Sequence, residues 1–224
     1  MKKLIFVIML MLLLTSCSSS EKTVVLNVYN WGEYISDGSE DSLDVNKEFE
    51  NYYYEKYNKK VKVAYTTYAS NEDMYNKLKS GGVSYDVVIP SDYMIERMIK
   101  EGMLQKLDFE NIPNYEYIDE LYKSLFYDKG NEYSVPYFCG YVGVIYNTDL
   151  IDEEPTDWDC LWDEKYAGQI LQFNNPRDAF GTAMYSQGID VNTKSEADWR
   201  KAAEMLKAQK PLVQSYVWTR YSIR

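Results

Sequence analysis

The sequence VKVAYTTYASNEDMYNKLKSGG, residues 61–82, is followed after three residues by DVVIPSDYMIERMIKEG, residues 86–102. Apolar and polar residues alternate at the start of the first segment, which predicts a strand. Helical spacing of apolar residues follows from Ser70 and ends at Gly81, as expected of a helix with a glycine stop. The second segment begins with a short apolar run typical of a buried parallel strand and continues as a helix. This order of elements predicts an α/β fold with a mostly parallel sheet.

Further strands and helices are predicted on both sides of these two segments. Residues 133–146, YSVPYFCGYVGVIY, form a long β-prone run interrupted by Gly140 and Gly143, which predicts a strand that bends. The other expected elements are strands at 24–29, 168–173 and 212–217, helices over 45–57, 178–187 and 196–208, and short helices or loops over 111–128 and 157–167.

The amino terminus has the pattern of an export signal. A positively charged start precedes an apolar run over 4–14, which is too short for a spanning helix of about 20 residues and fits a secretory signal. The sequence LTSC at 14–17 then resembles the bacterial lipobox, in which the cysteine becomes the lipidated amino terminus. We therefore expect residues 1–17 to be a lipoprotein signal peptide lipidated at Cys17, with a plain secretory signal as the alternative.

The composition excludes several classes of protein. The 224 residues include no histidine, which removes Ser-His-Asp and Cys-His catalytic systems and the His-based zinc motif. The 24 basic and 35 acidic residues give a formal net charge of −11, which argues against a phosphate-tracking nucleic-acid protein and favours cationic ligands. No nucleotide, cofactor or metal motif is found, and we expect no cofactor and no metal.

Two cysteines remain in the body of the chain. Cys139 and Cys160 can pair in an exported protein, but their spacing does not establish whether they approach each other. Cys139 lies in an apolar, aromatic run, so a buried free thiol is an equally good expectation. Without histidine or a basic cluster nearby, a reactive thiolate is not expected.

Ligands of open α/β sheets bind beyond the carboxyl ends of the strands. Aromatic faces at these ends hold a cation through the ring quadrupole, and a carboxylate adds a charge-assisted hydrogen bond, so together they suit an ammonium on an aliphatic stem. The alternative is that the aromatic side chains are interior packing and the polar side chains are helix caps. The candidate site residues at these ends are Trp31, Tyr34, Ser91, Tyr93, Asn175 and Asp178.

Ordered blocks over about 190 residues resemble one family, the spermidine/putrescine-binding proteins of polyamine ABC importers. The blocks are residues 30–34, 65–79, 85–93, 100–104, 134–137 and 174–181. The resemblance implies a two-lobed, type II periplasmic-binding-protein fold that closes over a linear polyamine, with lobe I at 22–137, lobe II at 138–224 and a first crossing between the lobes within 133–143.

The resemblance also implies roles for the candidate site residues. Trp31 and Tyr34 would line the slot for the polyamine, Tyr93 would form a further wall and Ser91 a polar contact. Asp178 matches an acid that takes an amine in the family. Two positions depart from the family pattern: Asn175, where the family often has an aspartate, and Gly32, where some relatives carry threonine.

The function that the resemblance implies is that of a solute-binding lipoprotein without catalytic activity. It would be exported, held at the outer face of the cytoplasmic membrane or in the periplasmic space, and monomeric, would not bind nucleic acid, and would deliver spermidine or putrescine to an ABC permease. The alternatives are an exported Cys-dependent transferase on the same fold and a surface lipoprotein that binds protein partners.

The length of the chain differs from the family pattern. Residues 218–224 do not match the family, whose members continue further. We therefore expect a C-terminally truncated product that lacks the second halves of both lobes and either binds its ligand poorly or does not fold on its own.

Overall fold

A computed structural model of the chain describes residues 22–32 and 34–217. These residues separate into two compact units. The first unit extends to Tyr68 and takes in Glu72–Pro90, and the second comprises Ala69–Asn71 and the chain from Ser91 onward. The expected signal peptide with its lipidation site Cys17, and the tail at 218–224, lie outside the described residues.

The helices and strands follow the expected order. The strands are β1 (Val24–Trp31), β2 (Val61–Tyr68), β3 (Val87–Val88), β4 (Ile170–Phe173) and β5 (Val213–Val217). The α-helices are α1 (Val45–Tyr57), α2 (Asn71–Lys79), α3 (Asp92–Lys100), α4 (Pro176–Ser186) and α5 (Glu196–Gln209). Short 3-10 helices lie at Phe109–Asn111, Pro113–Tyr117, Glu120–Tyr122, Trp158–Trp162, Glu164–Tyr166 and Lys210–Leu212.

The first unit contains a parallel sheet, as the sequence predicts, and the structure gives its strand order as β2-β1-β3. The register pairs Val24 with Val61 at the amino ends of β1 and β2 and Trp31 with Tyr68 at their carboxyl ends. β1 is two residues longer than expected, so Trp31 is the last residue of the strand and does not lie in the loop after it. β3 has only two residues, and Val87 is 43% exposed, so the expectation of a fully buried strand is wrong at this edge position.

The second unit contains the parallel pair β4-β5 and the two helices α4 and α5. Ala183 and Met184 on α4 and Ala202 on α5 are completely buried and form the centre of an apolar core. The alanines let the two helices approach closely, while the methionine fills the irregular space between them. The indole N–H of Trp162 donates to the carbonyl oxygen of Met205 at 2.9 Å and ties a 3-10 helix to α5.

The expected bent strand at 133–146 is wrong. No strand forms in this segment, and Tyr141 is 99% and Ile145 86% exposed. A β-prone composition yields a strand only where a neighbouring strand supplies a hydrogen-bond ladder. No such ladder reaches this segment within 22–32 and 34–217.

Buried polar side chains order the loops of the second unit. Asp128 is 4% exposed, and its carboxylate accepts backbone N–H groups from Glu132 and Tyr133 and the hydroxyl of Ser134. Asn131 is 1% exposed and accepts from the hydroxyl of Tyr115 at 2.8 Å. Such groups are stable in an interior only when they are hydrogen-bonded, so these contacts fix the loop conformation.

Replacing Gln209 with alanine should destabilise the second unit. Gln209 is fully buried, accepts from the Nε2 of Gln172 at 3.1 Å and donates to the carbonyl oxygen of Leu161 at 3.0 Å. Its removal costs both partners a hydrogen bond in the interior, so we expect a loss of about 1–3 kcal/mol in the free energy of unfolding, measured by urea titration. The exposed Gln187→Ala is the control, and equal effects of the two substitutions would contradict the assignment.

Candidate ligand-binding site

The carboxyl end of β1 carries an aromatic cluster formed by Trp31, Tyr34 and Tyr68. The ring of Trp31 stacks on that of Tyr34 with centroids 5.9 Å apart and planes at 28°. Its other neighbour is Tyr68, 4.7 Å away and tilted by 53°. The parallel register places Trp31 opposite Tyr68 at the ends of their strands, so the sheet itself brings these rings together.

The base of this aromatic cluster is fixed by hydrogen bonds and further rings. The hydroxyl of Tyr68 donates to the carbonyl oxygen of Ile89, directly after β3. The ring of Tyr29 meets Tyr68 edge to face at 5.0 Å and stacks on Tyr85 at 4.4 Å. A hydrogen bond from Thr66, followed by the ammonium of nearby Lys77, lowers the pKa of the Tyr85 phenol. The cluster therefore rests on a rigid layer of tyrosines.

The exposure of the aromatic cluster differs among its members. Tyr68 is buried, Trp31 is half-buried and Tyr34 is 39% exposed. Tyr68 is thus interior packing beneath the two candidate residues. Trp31 and Tyr34 retain accessible surface, and a partly desolvated aromatic face attracts a cation.

The second unit carries a polar cluster organised by Asn71. The Oδ1 of Asn71 accepts the backbone N–H of Ser91 at 3.1 Å, and its Nδ2 lies 3.0 Å from the hydroxyl of Tyr93. Asn71 is 3% exposed, so these bonds are shielded from water. Sequence reasoning did not single out Asn71. Its position as the first residue of α2, where an amide side chain is free to bond outside the helix, is the signal that could have found it.

Asn175 and Asp178 are joined at the start of α4. The Oδ1 of Asn175 accepts the backbone N–H of Asp178 at 3.2 Å, and its Nδ2 donates to the Asp178 carboxylate at 2.5 Å. Asn175 is therefore the N-cap of this helix, and Asp178 is an acid in its first turn. Both side chains have a structural role, and the role of Asp178 as an acid for an amine stays a prediction.

Arg177 connects the start of α4 to Tyr93. Its guanidinium carbon lies 5.0 Å from the centre of the Tyr93 ring, a cation–π geometry. The same guanidinium donates to the carbonyl oxygen of Val191 and to the side chain of Asn192, both at 2.6 Å. One face of Tyr93 is thus already covered by a positive charge.

Both body cysteines are free thiols. Cys139 is exposed, so the expectation of a buried thiol at this position is wrong. The reason is the same as for the missing strand. Within the described residues, no hydrogen bonds to a neighbouring strand hold the 133–146 segment in a sheet, so its side chains are not packed into a core. Cys160 is half-buried, and burial, with the negative charges of Asp157 and Asp159 second, raises the pKa of its thiol.

Cys139 should react with a thiol reagent much faster than Cys160. The raised pKa of Cys160 leaves less of the reactive thiolate at neutral pH, and burial hinders access. We expect a rate ratio of roughly ten or more in a Cys17→Ser background, measured with Ellman's reagent on the Cys139→Ser and Cys160→Ser variants. Equal rates in the folded protein, with both thiols reacting alike in urea, would contradict the placement of Cys160.

The part of the chain that the structure describes contains neither a membrane-spanning helix nor a cluster of metal ligands. Its helices include none that is both long and apolar enough to cross a membrane. Its cysteine, aspartate and glutamate side chains form no group of three or more that could hold a metal ion.

A parallel α/β fold with aromatic and polar side chains at the ends of its strands is typical of a ligand-binding protein. Residues 48–223 match the family described as bacterial extracellular solute-binding protein. The chain belongs to this family, which places it among extracytoplasmic binding proteins.

Two proteins named for polyamine binding are similar in sequence. The spermidine/putrescine-binding periplasmic protein 1 of Haemophilus influenzae is 35% identical over 202 residues, which make up 89% of this chain and 52% of that protein. The putrescine/cadaverine-binding protein of Pseudomonas aeruginosa is 32% identical over 218 residues, 94% of this chain and 57% of that protein. The chain thus spans about half the length of the curated relatives it matches.

Solved structures confirm the α/β periplasmic-binding-protein fold. The TpPotD lipoprotein of Treponema pallidum matches with a TM-score of 0.72 at 32% identity, over 86% of this chain and 57% of that one. The spermidine/putrescine substrate-binding protein PotD of Streptococcus pneumoniae matches with a TM-score of 0.63 at 34% identity, over 87% and 57%.

Proposed function

We propose that the chain captures a polyamine, spermidine or putrescine, outside the cytoplasm for an ABC importer. The observation that carries this proposal is the aromatic cluster at the carboxyl end of β1, in which Trp31 and Tyr34 keep accessible ring surface. A polyamine is a chain of methylene groups with ammonium ends. Aromatic rings attract its charges through their quadrupoles and bury its methylenes by the hydrophobic effect.

Asp178 and Ser91 in the second unit support the same ligand class. The carboxylate of Asp178 offers an acceptor for an ammonium, and Ser91 a polar contact. Arg177 limits this contribution, since its guanidinium covers one face of Tyr93 and repels a second cation there. Tyr93 therefore offers a ligand its other face or its edge.

The remaining parts of the proposal come from the family resemblance. Lobe closure over the ligand is the proposed mechanism, in which binding favours the closed state by differential affinity. The chain would act as a monomer, attached to the membrane through a lipid on Cys17, and would present the ligand to a permease. No chemical step is required of any residue.

Isothermal titration of the chain with spermidine and with putrescine tests the proposal. We expect heat of binding and a rise in melting temperature with either polyamine, and no response to 1,4-butanediol, which has the same carbon chain as putrescine without the charges. Absence of both heat and thermal shift at millimolar polyamine would reject it.

A further inference from the structure

A groove at the amino ends of the strands of the first sheet, opposite the aromatic cluster, differs from that cluster in the charge of its lining residues. It lies between α1 and the amino ends of β1 and β2 and has a volume of about 320 Å³. Its lining residues are Thr23, Lys47, Glu50, Asn51, Tyr54, Lys60, Val61 and Lys62. Three lysines and one glutamate give this lining a formal charge of +2, in a chain whose formal net charge is −11.

The single acid of the groove is already engaged. One oxygen of Glu50 accepts the backbone N–H of Val63 at 2.9 Å and lies 3.1 Å from the Nζ of Lys62. The Glu50 side chain is only 12% exposed, and the bond from Val63, with Lys62 second, lowers the pKa of its carboxyl. Glu50 is thus held as a carboxylate that positions Lys62.

Of the other two lysines, Lys47 contributes only a weaker electrostatic attraction to Glu50. Within the described ranges 22–32 and 34–217, neither Lys47 nor Lys60 forms an ion pair. The hydroxyls of Thr23 and Tyr54 and the amide of Asn51 add hydrogen-bonding groups along the same lining. The groove therefore combines uncompensated positive charge with neutral polar groups, which is the chemistry of an anion site.

This groove is separate from the aromatic cluster. The register pairs Val24 with Val61 at the amino ends of the strands, beside the groove, and Trp31 with Tyr68 at the carboxyl ends, in the aromatic cluster. At about 3.3 Å per residue, the two ends of the strands lie roughly 20 Å apart. A cation bound at the aromatic cluster and an anion bound in the groove would not compete.

We propose that the groove of Lys47, Lys60 and Lys62 binds a phosphate group. A phosphate offers several acceptor oxygens and a full negative charge, which matches three lysine ammonium groups that act as point charges on flexible stems. The phosphate could come from a soluble ion or from the headgroup of an anionic lipid, and both share this chemistry.

Titration at low ionic strength tests this groove in the full chain carrying Cys17→Ser. Inorganic phosphate is the soluble probe, followed by calorimetry, and co-sedimentation with phosphatidylglycerol vesicles, relative to phosphatidylcholine vesicles, is the lipid probe. Binding of inorganic phosphate identifies a soluble anion as a ligand, and binding of the anionic vesicles alone identifies a headgroup.

The matched variants replace three lysines by glutamine. Lys47→Gln, Lys60→Gln and Lys62→Gln together should weaken binding of the responding probe about tenfold or more, because each lost charge removes a direct attraction. Lys129→Gln, Lys194→Gln and Lys201→Gln change the net charge equally at exposed positions of the second unit and should leave binding within about twofold. Thr23→Glu places a negative charge in the groove without touching the Glu50–Lys62 pair and should also weaken binding.

Three results would overturn the proposal: no binding of either probe, equal loss in both triple variants, or unchanged binding by Thr23→Glu. Equal melting temperatures of the variants ensure that each result reports on the groove. Polyamine titration of the groove variants should be unaffected.

Discussion

Replacing Met184 with alanine is expected to lower the free energy of unfolding by about 2–5 kcal/mol, the largest stability effect we anticipate. Met184 is completely buried at the centre of the α4–α5 core. Its side chain is surrounded by partly buried apolar residues, so the truncation loses apolar burial and leaves a cavity that this packing cannot fill. The residues packed against this core are Trp162, Phe180, Ile189, Val191, Trp199, Met205 and Leu206.

The measurement for Met184 is the urea unfolding midpoint and slope, with thermal melting as a second probe. Met184→Leu conserves volume and should cost less than about 1.5 kcal/mol. Leu171→Ala removes an aliphatic side chain that is 41% exposed and serves as the surface control. Equal destabilisation by Met184→Ala and Leu171→Ala would show that the core does not lie where the structure places it.

Replacing Trp31 with alanine is expected to weaken polyamine binding about twofold to thirtyfold, if the chain binds polyamines as proposed. This range corresponds to the roughly 0.5–2 kcal/mol of one cation–π contact, depending on how fully the site is desolvated. Trp31 is the central ring of the aromatic cluster, between Tyr34 and Tyr68, so its loss also removes the support of Tyr34.

Calorimetric titration with spermidine and putrescine measures this effect. Trp31→Phe keeps an aromatic face and should retain most of the affinity. Tyr57→Ala removes an aromatic ring that is 50% exposed on α1 and should leave binding unchanged. Wild-type affinity in Trp31→Ala, with wild-type melting, would mean that the aromatic cluster does not contact the ligand.

Much of the fold follows from local pattern. The strands and helices were predicted from periodicity and the end of α2 from its glycine, because these signals lie within a few residues of each other. The parallel pairing of the first sheet was predicted from the alternation of strands and helices. The prediction of a strand at 133–146 was wrong for a physical reason. Residues such as Tyr141 and Ile145 favour a strand, but a strand also needs a partner, and the partner is not a local property.

The candidate site was predicted only in part. Trp31 and Tyr34 were expected near a common end of the parallel strands, and the structure brings their rings together there, while their contact with a ligand stays a prediction. The contacts of Asn71 and Arg177 with Tyr93 could not be predicted, since the hydrogen bond and the guanidinium stacked over the ring both join residues distant in sequence.

The sequence by itself determined the class of fold, the order of its elements and the family, since ordered blocks of local pattern carry that information. The tertiary structure decided how the charges are distributed. A negative net charge predicts cationic ligands. Packing of α1 against β2 nevertheless gathers three lysines around one engaged glutamate. Net charge is a sum over the whole chain, whereas recognition depends on the few charges that folding brings within several ångströms of one another.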